Sequence, residues 1–257
     1  MDLKGKKVLV FGAGKSGIGA ADLLGSAGAQ PVIYDGNADL DKEAVLHKTN
    51  GKYTPEIWAG AFPEGEMESL DLVVLSPGVP TDLPLVKSFY EKGLPVWSEV
   101  ELAYRTGKGE VLAITGTNGK TTTTALLGKI MGDARESVFV VGNIGTAYTS
   151  KSLEMREDSV TVAEISSFQL ETIEHFHPKV SAILNITPDH LDRYDHQMQN
   201  YVDAKFRIIR NQTAEEAFIF WNDDPIIARE IAKRHPQATL YPFAETHEAG
   251  VKGYTED

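Results

Sequence analysis

The chain of 257 residues contains no cysteine. This absence excludes a disulfide framework, a thiolate zinc site and a cysteine nucleophile, and it suits the reducing cytoplasm. Apolar runs of roughly 20 residues, as a membrane span requires, are also missing. The first residues do not have the profile of a signal peptide. We therefore predict a cytoplasmic protein with no membrane partner.

Positive charge is scarce, because 25 Lys and Arg residues stand against 37 Asp and Glu residues, for a net charge of −12. So acidic a chain is poorly suited to the phosphate backbone of DNA or RNA, which excludes nucleic acid as the main partner. Low-complexity segments and internal repeats are absent too. The length allows one large or two ordinary domains, each able to bury a core of its own.

Short apolar runs alternate with helical stretches, which predicts parallel βαβ units in an α/β protein. The predicted strands are Lys7–Phe11, Pro31–Tyr34, Leu72–Leu75, Pro95–Trp97, Val111–Thr115, Ser137–Val141, Val160–Glu164, Val180–Leu184, Ala217–Trp221 and Thr239–Tyr241. The predicted helices run from Gly17 to about Leu24, then over Pro84–Lys92, Glu99–Arg105, Thr122–Met131, Asn200–Asn211 and Asp224–Arg234. Glycines on both sides of Lys108 indicate a boundary. We expect two domains, residues 1–107 and 108–257.

A first glycine-rich loop, residues 12–17 (GAGKSG), matches G-x-G-x-x-G between a strand and a helix. Its glycines permit a tight turn, and the helix N-terminus offers N–H groups to a diphosphate. Asp35 ends the next strand and could accept hydrogen bonds from a sugar or base. The pattern predicts nucleotide binding but does not separate NAD from another diphosphate. A glycine turn that serves only packing is the alternative.

A second loop, residues 116–121 (GTNGKT), is the more specific signal, since it also follows an apolar run and opens a helix. Its N–H groups can surround phosphates, Lys120 supplies positive charge, and the Thr121 hydroxyl can reach Mg²⁺. It departs from the general phosphate-loop pattern at Ile114, where that pattern has glycine. A solvated polar turn is the alternative. We predict ATP binding, with the two loops holding two different phosphorylated ligands.

Polar side chains follow several predicted strands, where ligands of α/β sheets bind. Glu164 is a candidate oxygen ligand for Mg²⁺ or a helix-capping acid. Asn143 could bind a substrate carbonyl or phosphate, or form part of a simple turn. His190, taken alone, is more typical of a packed or surface residue. Lys205, on a predicted helix, is typical of a solvated helix face.

Taken together, these segments resemble the Mur ligases, ATP-dependent amide-forming enzymes of peptidoglycan precursor assembly. The resemblance rests on residues 12–17 (GAGKSG), 76–79 (SPGV), 114–122 (ITGTNGKTT), 142–145 (GNIG), 164–170 (EISSFQL), 184–194 (LNITPDHLDRY) and 201–205 (YVDAK). The segments SPGV, SSFQL and HLDRY favour the branch of the family that adds D-glutamate. The resemblance implies a Rossmann-like first domain, followed by a P-loop-type, mostly parallel α/β ATPase domain.

The resemblance also implies roles for individual residues. The first domain would bind UDP rather than NAD, and the substrate-binding residues would be Gly14, Lys15, Ser16, Gly17, Asp35, Ser76, Asn143 and Ser167. ATP would be held by Gly116, Thr117, Asn118, Gly119, Lys120, Thr121 and Thr122. Two Mg²⁺ ions would be held by Thr121, Glu164, His190 and Lys205, with Lys205 carbamylated. The catalytic residues would be Lys120, Glu164, His190 and Lys205. Gly36 and Asn37 stand where the family often has a hydroxyl residue.

The implied reaction joins D-glutamate to UDP-N-acetylmuramoyl-L-alanine through an acyl phosphate. Alternatives are another Mur-type or folylpolyglutamate-type ligase, an NAD-dependent oxidoreductase and a non-catalytic nucleotide-binding module. Mur ligases have a third domain, which carries much of the D-glutamate site, and residues 251–257 do not form a recognisable final element. We therefore expect a monomeric, truncated chain that binds the UDP-sugar, binds ATP weakly and has no turnover alone.

Overall fold

The structure is a computed structural model that describes residues 2–143, 145–246 and 250–253. Ile144, in the segment GNIG, and residues 254–257, in the segment that ends the chain, lie outside the described residues. Within these ranges, no helix combines the length and apolar character needed to cross a bilayer. The chain forms two compact units. The first contains residues up to 107, with 147–154 and 171–174, and the second contains 108–146, 155–170 and the residues from 175 onward.

The first unit is built on a five-stranded parallel sheet in the order β3-β2-β1-β4-β5. Its strands are β1 (Lys7–Phe11), β2 (Gln30–Asp35), β3 (Glu56–Ala59), β4 (Leu72–Leu75) and β5 (Val96–Ser98). Its helices are α1 (Lys15–Ser26), α2 (Lys42–Leu46), α3 (Pro84–Glu91) and α4 (Glu99–Thr106). Short 3₁₀ turns cover Glu66–Ser69, Tyr148–Ser150 and Ser152–Glu154.

The second unit has a six-stranded parallel sheet in the order β11-β10-β9-β6-β8-β7. Its strands are β6 (Glu110–Thr115), β7 (Val138–Gly142), β8 (Val160–Glu164), β9 (Val180–Ile183), β10 (Ala217–Trp221) and β11 (Thr239–Phe243). Its helices are α5 (Lys120–Ala134), α6 (Ser167–Leu170), α7 (Met198–Phe206) and α8 (Pro225–Arg234). The turns Leu191–Tyr194 and Arg207–Ile209 are 3₁₀.

The first sheet is buried on both faces, as parallel sheets with crossover helices usually are. Alternate residues of β1 belong to different clusters, because successive side chains of a strand point to opposite faces. Val8 and Val10 pack with the apolar side of α1, including Leu24. Leu9 packs in the cluster that contains Phe89 of α3. The continuous apolar run therefore fixes a central strand between two helical layers.

One face of the second sheet carries an apolar groove of about 440 Å³ between α5 and strands β6, β9, β10 and β11. Leu126 and Ile130 of α5 line it and remain 60% and 53% exposed. The described residues thus cover this face less completely than either face of the first sheet.

The predicted α/β class with parallel units is confirmed. Three elements were not predicted. Helix α2 and the edge strand β3 lie in a polar stretch that carries no strong periodic signal, and α6 is only four residues long. Several boundaries also differ by a few residues. For example, α5 begins at Lys120, two residues early, and α7 ends at Phe206 before a 3₁₀ turn.

Candidate nucleotide-binding site

The loop between β6 and α5 has the backbone of a phosphate-binding turn. Gly119, the N-cap residue of α5, has φ +83°, a conformation that favours glycine. The first turn of α5 contains no acidic residue. Helix geometry leaves the amides of Lys120, Thr121 and Thr122 without an intrahelical acceptor. This end of α5 can therefore bind an anion through N–H groups and the helix dipole.

The front of this loop is fastened to Asn185, two residues after β9. The amides of Thr117 and Asn118 donate to Asn185 Oδ1 at 3.1 and 2.8 Å. Asn185 Nδ2 in turn donates to the Asn118 carbonyl at 3.1 Å. The Thr117 amide also contacts the Asn185 carbonyl oxygen at 3.0 Å. One side chain thus satisfies two amides and one carbonyl of the loop.

Thr117 connects the loop to two further segments through its hydroxyl group. Thr117 Oγ1 accepts from the Thr187 amide at 3.0 Å and donates to the Thr187 carbonyl at 3.1 Å. It also lies 3.2 Å from the hydroxyl of Tyr201, a buried residue of α7. The Tyr201 ring lies below the Lys205 ammonium, 4.5 Å from its centroid.

Two lysines converge on one carbonyl oxygen of the loop. Lys120 Nζ donates to Gly116 O at 3.0 Å and to Thr117 O at 2.9 Å. Lys205 Nζ donates to the same Gly116 oxygen at 2.8 Å. Lys205 is only 2% exposed, so its interpretation as part of a solvated helix face is wrong. Burial, assisted by the positive charge of Lys120, lowers the pKa of Lys205 to about 7.

Glu164 is a buried carboxylate at the carboxyl edge of the same sheet. It ends β8 in register with Ile114 of β6 and Gly142 of β7, and it is 2% exposed. Asn143 Nδ2 donates to Glu164 Oε1 at 3.3 Å. Gly142 has φ +127°, and a Cβ there would lie 2.0 Å from the Glu164 carbonyl oxygen, so glycine is required. Carboxylate oxygens of this kind are ligands that Mg²⁺ prefers.

His190 is exposed and directly precedes the 3₁₀ turn Leu191–Tyr194. Its Nε2 is 3.5 Å from Asp189 Oδ2, and its ring lies 5.3 Å from the Phe168 ring. Ser167 is buried at the start of α6. In the described parts of the chain, no three His, Asp or Glu side chains are grouped to hold a metal. Glu164 and the exposed Thr121 hydroxyl fit Mg²⁺ by donor type, whereas the Lys205 ammonium does not.

The first glycine-rich loop, between β1 and α1, is shaped by close packing. A Cβ on Gly17 would lie 1.8 Å from the Gly12 carbonyl oxygen, and one on Gly12 would lie 2.8 Å from Ser76 Oγ. Gly14, the N-cap of α1, has no neighbour within 4 Å of that position. Gly12 and Gly17 therefore build the turn, while Gly14 leaves open space beside the helix N-terminus.

Asp35 and Ser76 hold the backbone of this first loop. Asp35 Oδ2 accepts from the Ala13 amide at 3.0 Å, and Oδ1 accepts from the Asn37 amide at 3.0 Å. Ser76 Oγ donates to the Gly12 carbonyl at 3.3 Å. Of the remaining predicted residues, Lys15 is exposed and Ser16 is half-buried at the start of α1.

Sequence reasoning missed Asn185, Thr187 and Tyr201 as members of the second site. A usable signal existed for Asn185, because it is a polar residue at the carboxyl end of a strand, two residues after β9. Glu164, the last residue of β8, was identified from the same kind of position. The hydroxyl contacts of Thr117 with Thr187 and Tyr201 have no comparable signal, since they depend on how α7 packs.

The fold and the β6–α5 loop define an α/β nucleotide-binding protein with a P-loop-type second unit. Two family profiles match the chain and identify its family. Residues 6–98 match "Mur ligase MurD-like, N-terminal domain", and residues 114–256 match "Mur ligase middle domain". The chain therefore belongs to the Mur ligase family.

Two similar curated relatives have the same name. A protein of Lachnospira eligens named UDP-N-acetylmuramoylalanine--D-glutamate ligase is 56% identical over 224 residues, covering 87% of this chain and 49% of that protein. A protein of the same name from Lachnoclostridium phytofermentans is 52% identical over 248 residues, covering 96% of this chain and 54% of that protein. The chain thus spans about half the length of the curated relatives it matches.

Among solved structures, UDP-N-acetylmuramate:L-alanyl-gamma-D-glutamyl-meso-diaminopimelate ligase from Neisseria meningitides is similar, with a TM-score of 0.63 and 17% identity. The match covers 93% of this chain and 78% of that one. At this identity, the similarity establishes the fold.

Proposed function

We propose that the chain provides the UDP-sugar-binding and ATP-binding parts of a ligase that joins D-glutamate to UDP-N-acetylmuramoyl-L-alanine. The names of the relatives support this substrate pair. The observation that carries the proposal is the second loop, where Lys120 and the buried Lys205 both donate to the Gly116 carbonyl beside the N-terminus of α5. We further propose that it acts as a monomer in the cytoplasm, on small-molecule substrates.

The proposed reaction begins with phosphoryl transfer. The alanine carboxylate of the UDP-sugar attacks the γ-phosphorus of ATP, which gives an acyl phosphate and ADP. The amine of D-glutamate then attacks the acyl carbon, and inorganic phosphate leaves from the tetrahedral intermediate. Because carboxylate and phosphate repel each other, the chain's contribution is positioning and charge neutralisation.

Within this proposal, Lys120 binds the ATP phosphates after releasing the carbonyls of Gly116 and Thr117. The amides at the start of α5 provide the other donors, and the loop from Gly116 to Thr122 forms the ATP site. The diphosphate of the UDP-sugar would lie at the N-terminus of α1, in the open space beside Gly14. Lys15 and Ser16 would contact it, and Asp35 and Ser76 would hold the loop that surrounds it. Asn143 and Ser167 would also contact the substrate.

Magnesium would be held by Thr121 and Glu164, where it would neutralise charge on the transferring phosphate. A second ion would need His190 and a carbamylated Lys205. The neutral amine of Lys205 would combine with CO₂ to give a carbamate and release one proton, which turns a cation into an oxygen ligand. Its lowered pKa supports this step, since the neutral amine is the reactive form.

Thermal shift and calorimetry on this chain test the proposal. UDP-N-acetylmuramoyl-L-alanine should raise the melting temperature. At a ligand concentration of one hundred times Kd, the free energy of unfolding should rise by about 2.7 kcal/mol. UDP-N-acetylmuramate and its dipeptide derivative should have smaller effects. NAD⁺ should have none. Stabilisation by NAD⁺ without any effect of the UDP-sugars would instead favour an oxidoreductase.

A further inference from the structure

We infer that Asn185 is a positioning residue for the phosphate loop, because it determines which backbone amides of the loop remain available to a nucleotide. The nature of the ligand rests on the proposed function, whereas the hold of Asn185 on the loop does not. Neither the family match nor the sequence motif assigns a role to this side chain.

The hydrogen bonds divide the amides of the loop into two groups. Thr117 and Asn118 both donate to Asn185 Oδ1, at 3.1 and 2.8 Å, and a carboxamide oxygen has two lone pairs to accept them. These two amides therefore point to protein and not to phosphate. The amides that remain are those of the N-cap Gly119 and of Lys120, Thr121 and Thr122 in the first turn of α5. The phosphates are consequently directed to the helix end and to the Lys120 side chain.

Asparagine is the side chain that fits this position. Its oxygen faces two donors and its nitrogen faces the Asn118 carbonyl at 3.1 Å, so both halves of the carboxamide are used. Aspartate would keep both acceptor contacts but would lose the donor. It would also place a negative charge next to the phosphates. Alanine would release all three contacts.

Asn185 is itself held firmly from both sides. The Leu184 amide before it donates to the Thr115 carbonyl at 3.0 Å. The Ile186 amide after it donates at 2.7 Å to Asp224 Oδ2, a buried carboxylate that also caps α8. The side chain thus presents a fixed template to the loop. A loop that is ordered before binding loses less conformational entropy when phosphate arrives.

Amide hydrogen exchange and calorimetry on this chain test the inference. In the wild type, the Thr117 and Asn118 amides should be protected from exchange. Asn185→Ala should remove the protection of the Asn118 amide, whereas the Thr117 amide keeps its bond to the Asn185 backbone carbonyl. The variant should also weaken the binding of Mg·ATP and tripolyphosphate by about tenfold. Asn185→Asp should keep both amides protected but weaken both ligands by at least as much, with a loss that shrinks as salt rises. Binding of the UDP-sugar should stay unchanged in both variants.

Asn211→Ala is the matched control, because Asn211 Nδ2 donates to the Phe176 carbonyl at 2.9 Å, outside the loop. It should leave phosphate affinity and both loop amides unaltered. A protected Asn118 amide in Asn185→Ala would overturn the inference, as would phosphate affinity equal to that of the control. If the wild type binds neither phosphate ligand, the proposed function fails, and the exchange result still decides whether Asn185 holds the loop.

Discussion

The two glycine-rich loops follow one plan, strand then turn then helix, yet they are held in different ways. The first is fastened by a carboxylate, Asp35, and by the contact of Gly17 with Gly12. The second is fastened by a neutral carboxamide, Asn185, and two lysine ammonium groups converge on it. In the first loop the only lysine, Lys15, is exposed.

This difference matches the different work that we propose for the loops. A loop that only retains a diphosphate needs backbone amides and open space, which α1 and Gly14 provide. A loop at which phosphoryl transfer occurs must also neutralise charge that changes position during the reaction. Lys120 and the sheet-edge carboxylate Glu164, as a magnesium ligand, would serve that second requirement.

The largest expected effect comes from Gly17→Ala in the first loop. The added Cβ would overlap a backbone oxygen that has no room to move, so we expect the free energy of unfolding to fall by about 3 kcal/mol or more. This loss would outweigh the gain of about 1 kcal/mol that alanine normally brings within a helix. Urea unfolding of the two proteins measures the difference.

Gly14→Ala is the matched control within the same turn. Its φ of −75° suits alanine, and no atom lies within 4 Å of the new Cβ. Stability should fall by no more than about 1 kcal/mol, the usual cost of alanine at an N-cap. Affinity for the UDP-sugar should fall, because the methyl group would occupy the space that we assign to the diphosphate. Equal stability of the two variants would contradict the division of roles between these glycines.

A smaller effect, confined to the second loop, is expected for Lys120→Ala. Loss of a charged hydrogen bond to phosphate should weaken Mg·ATP by about 10- to 100-fold, as measured by calorimetry. UDP-sugar affinity should not change. Lys129→Ala is the control, since Lys129 lies on the same helix in an exposed ion pair with Asp133. Unchanged ATP affinity in Lys120→Ala would show that the second loop does not use its lysine for phosphate.

The comparison also shows what sequence could predict. Both loops were found because glycine spacing and flanking apolar runs are local signals. Strands such as Leu72–Leu75 were found because a fully buried strand is a continuous apolar run in the sequence. The edge strand β3 and helix α2 were missed because each has only three consecutive apolar residues within a polar stretch.

Side-chain partners were not predictable in the same way. Asn118 and Asn185 are 67 residues apart, and Gly116 and Lys205 are 89 residues apart. Such contacts arise from the strand order β9-β6-β8, which sequence periodicity does not contain. The burial of Lys205 follows from the packing of α7, so spacing alone indicated an exposed residue.

The last expected effect appears only as pH changes, and it concerns the second lysine. The folded chain lowers the pKa of Lys205 to about 7, chiefly through burial and then through Lys120. Above that pH, the lysine of the unfolded chain retains a proton that the folded chain has released. The free energy of unfolding therefore rises with pH until the lysine of the unfolded chain also loses its proton, at about pH 10.4. The slope attributable to Lys205 is at most about 1.4 kcal/mol per pH unit.

Urea unfolding of the wild type and of Lys205→Met between pH 6.5 and 9.5, in CO₂-free buffer, isolates this contribution. The wild type should gain stability relative to Lys205→Met as pH rises above 7, and the two should run parallel below it. In the Lys120→Ala background, the onset should move to higher pH, because one positive neighbour is gone. Parallel curves across the whole range would mean that Lys205 keeps its ordinary pKa. Neither burial nor the charge of Lys120 would then act on the titration of Lys205 as we infer.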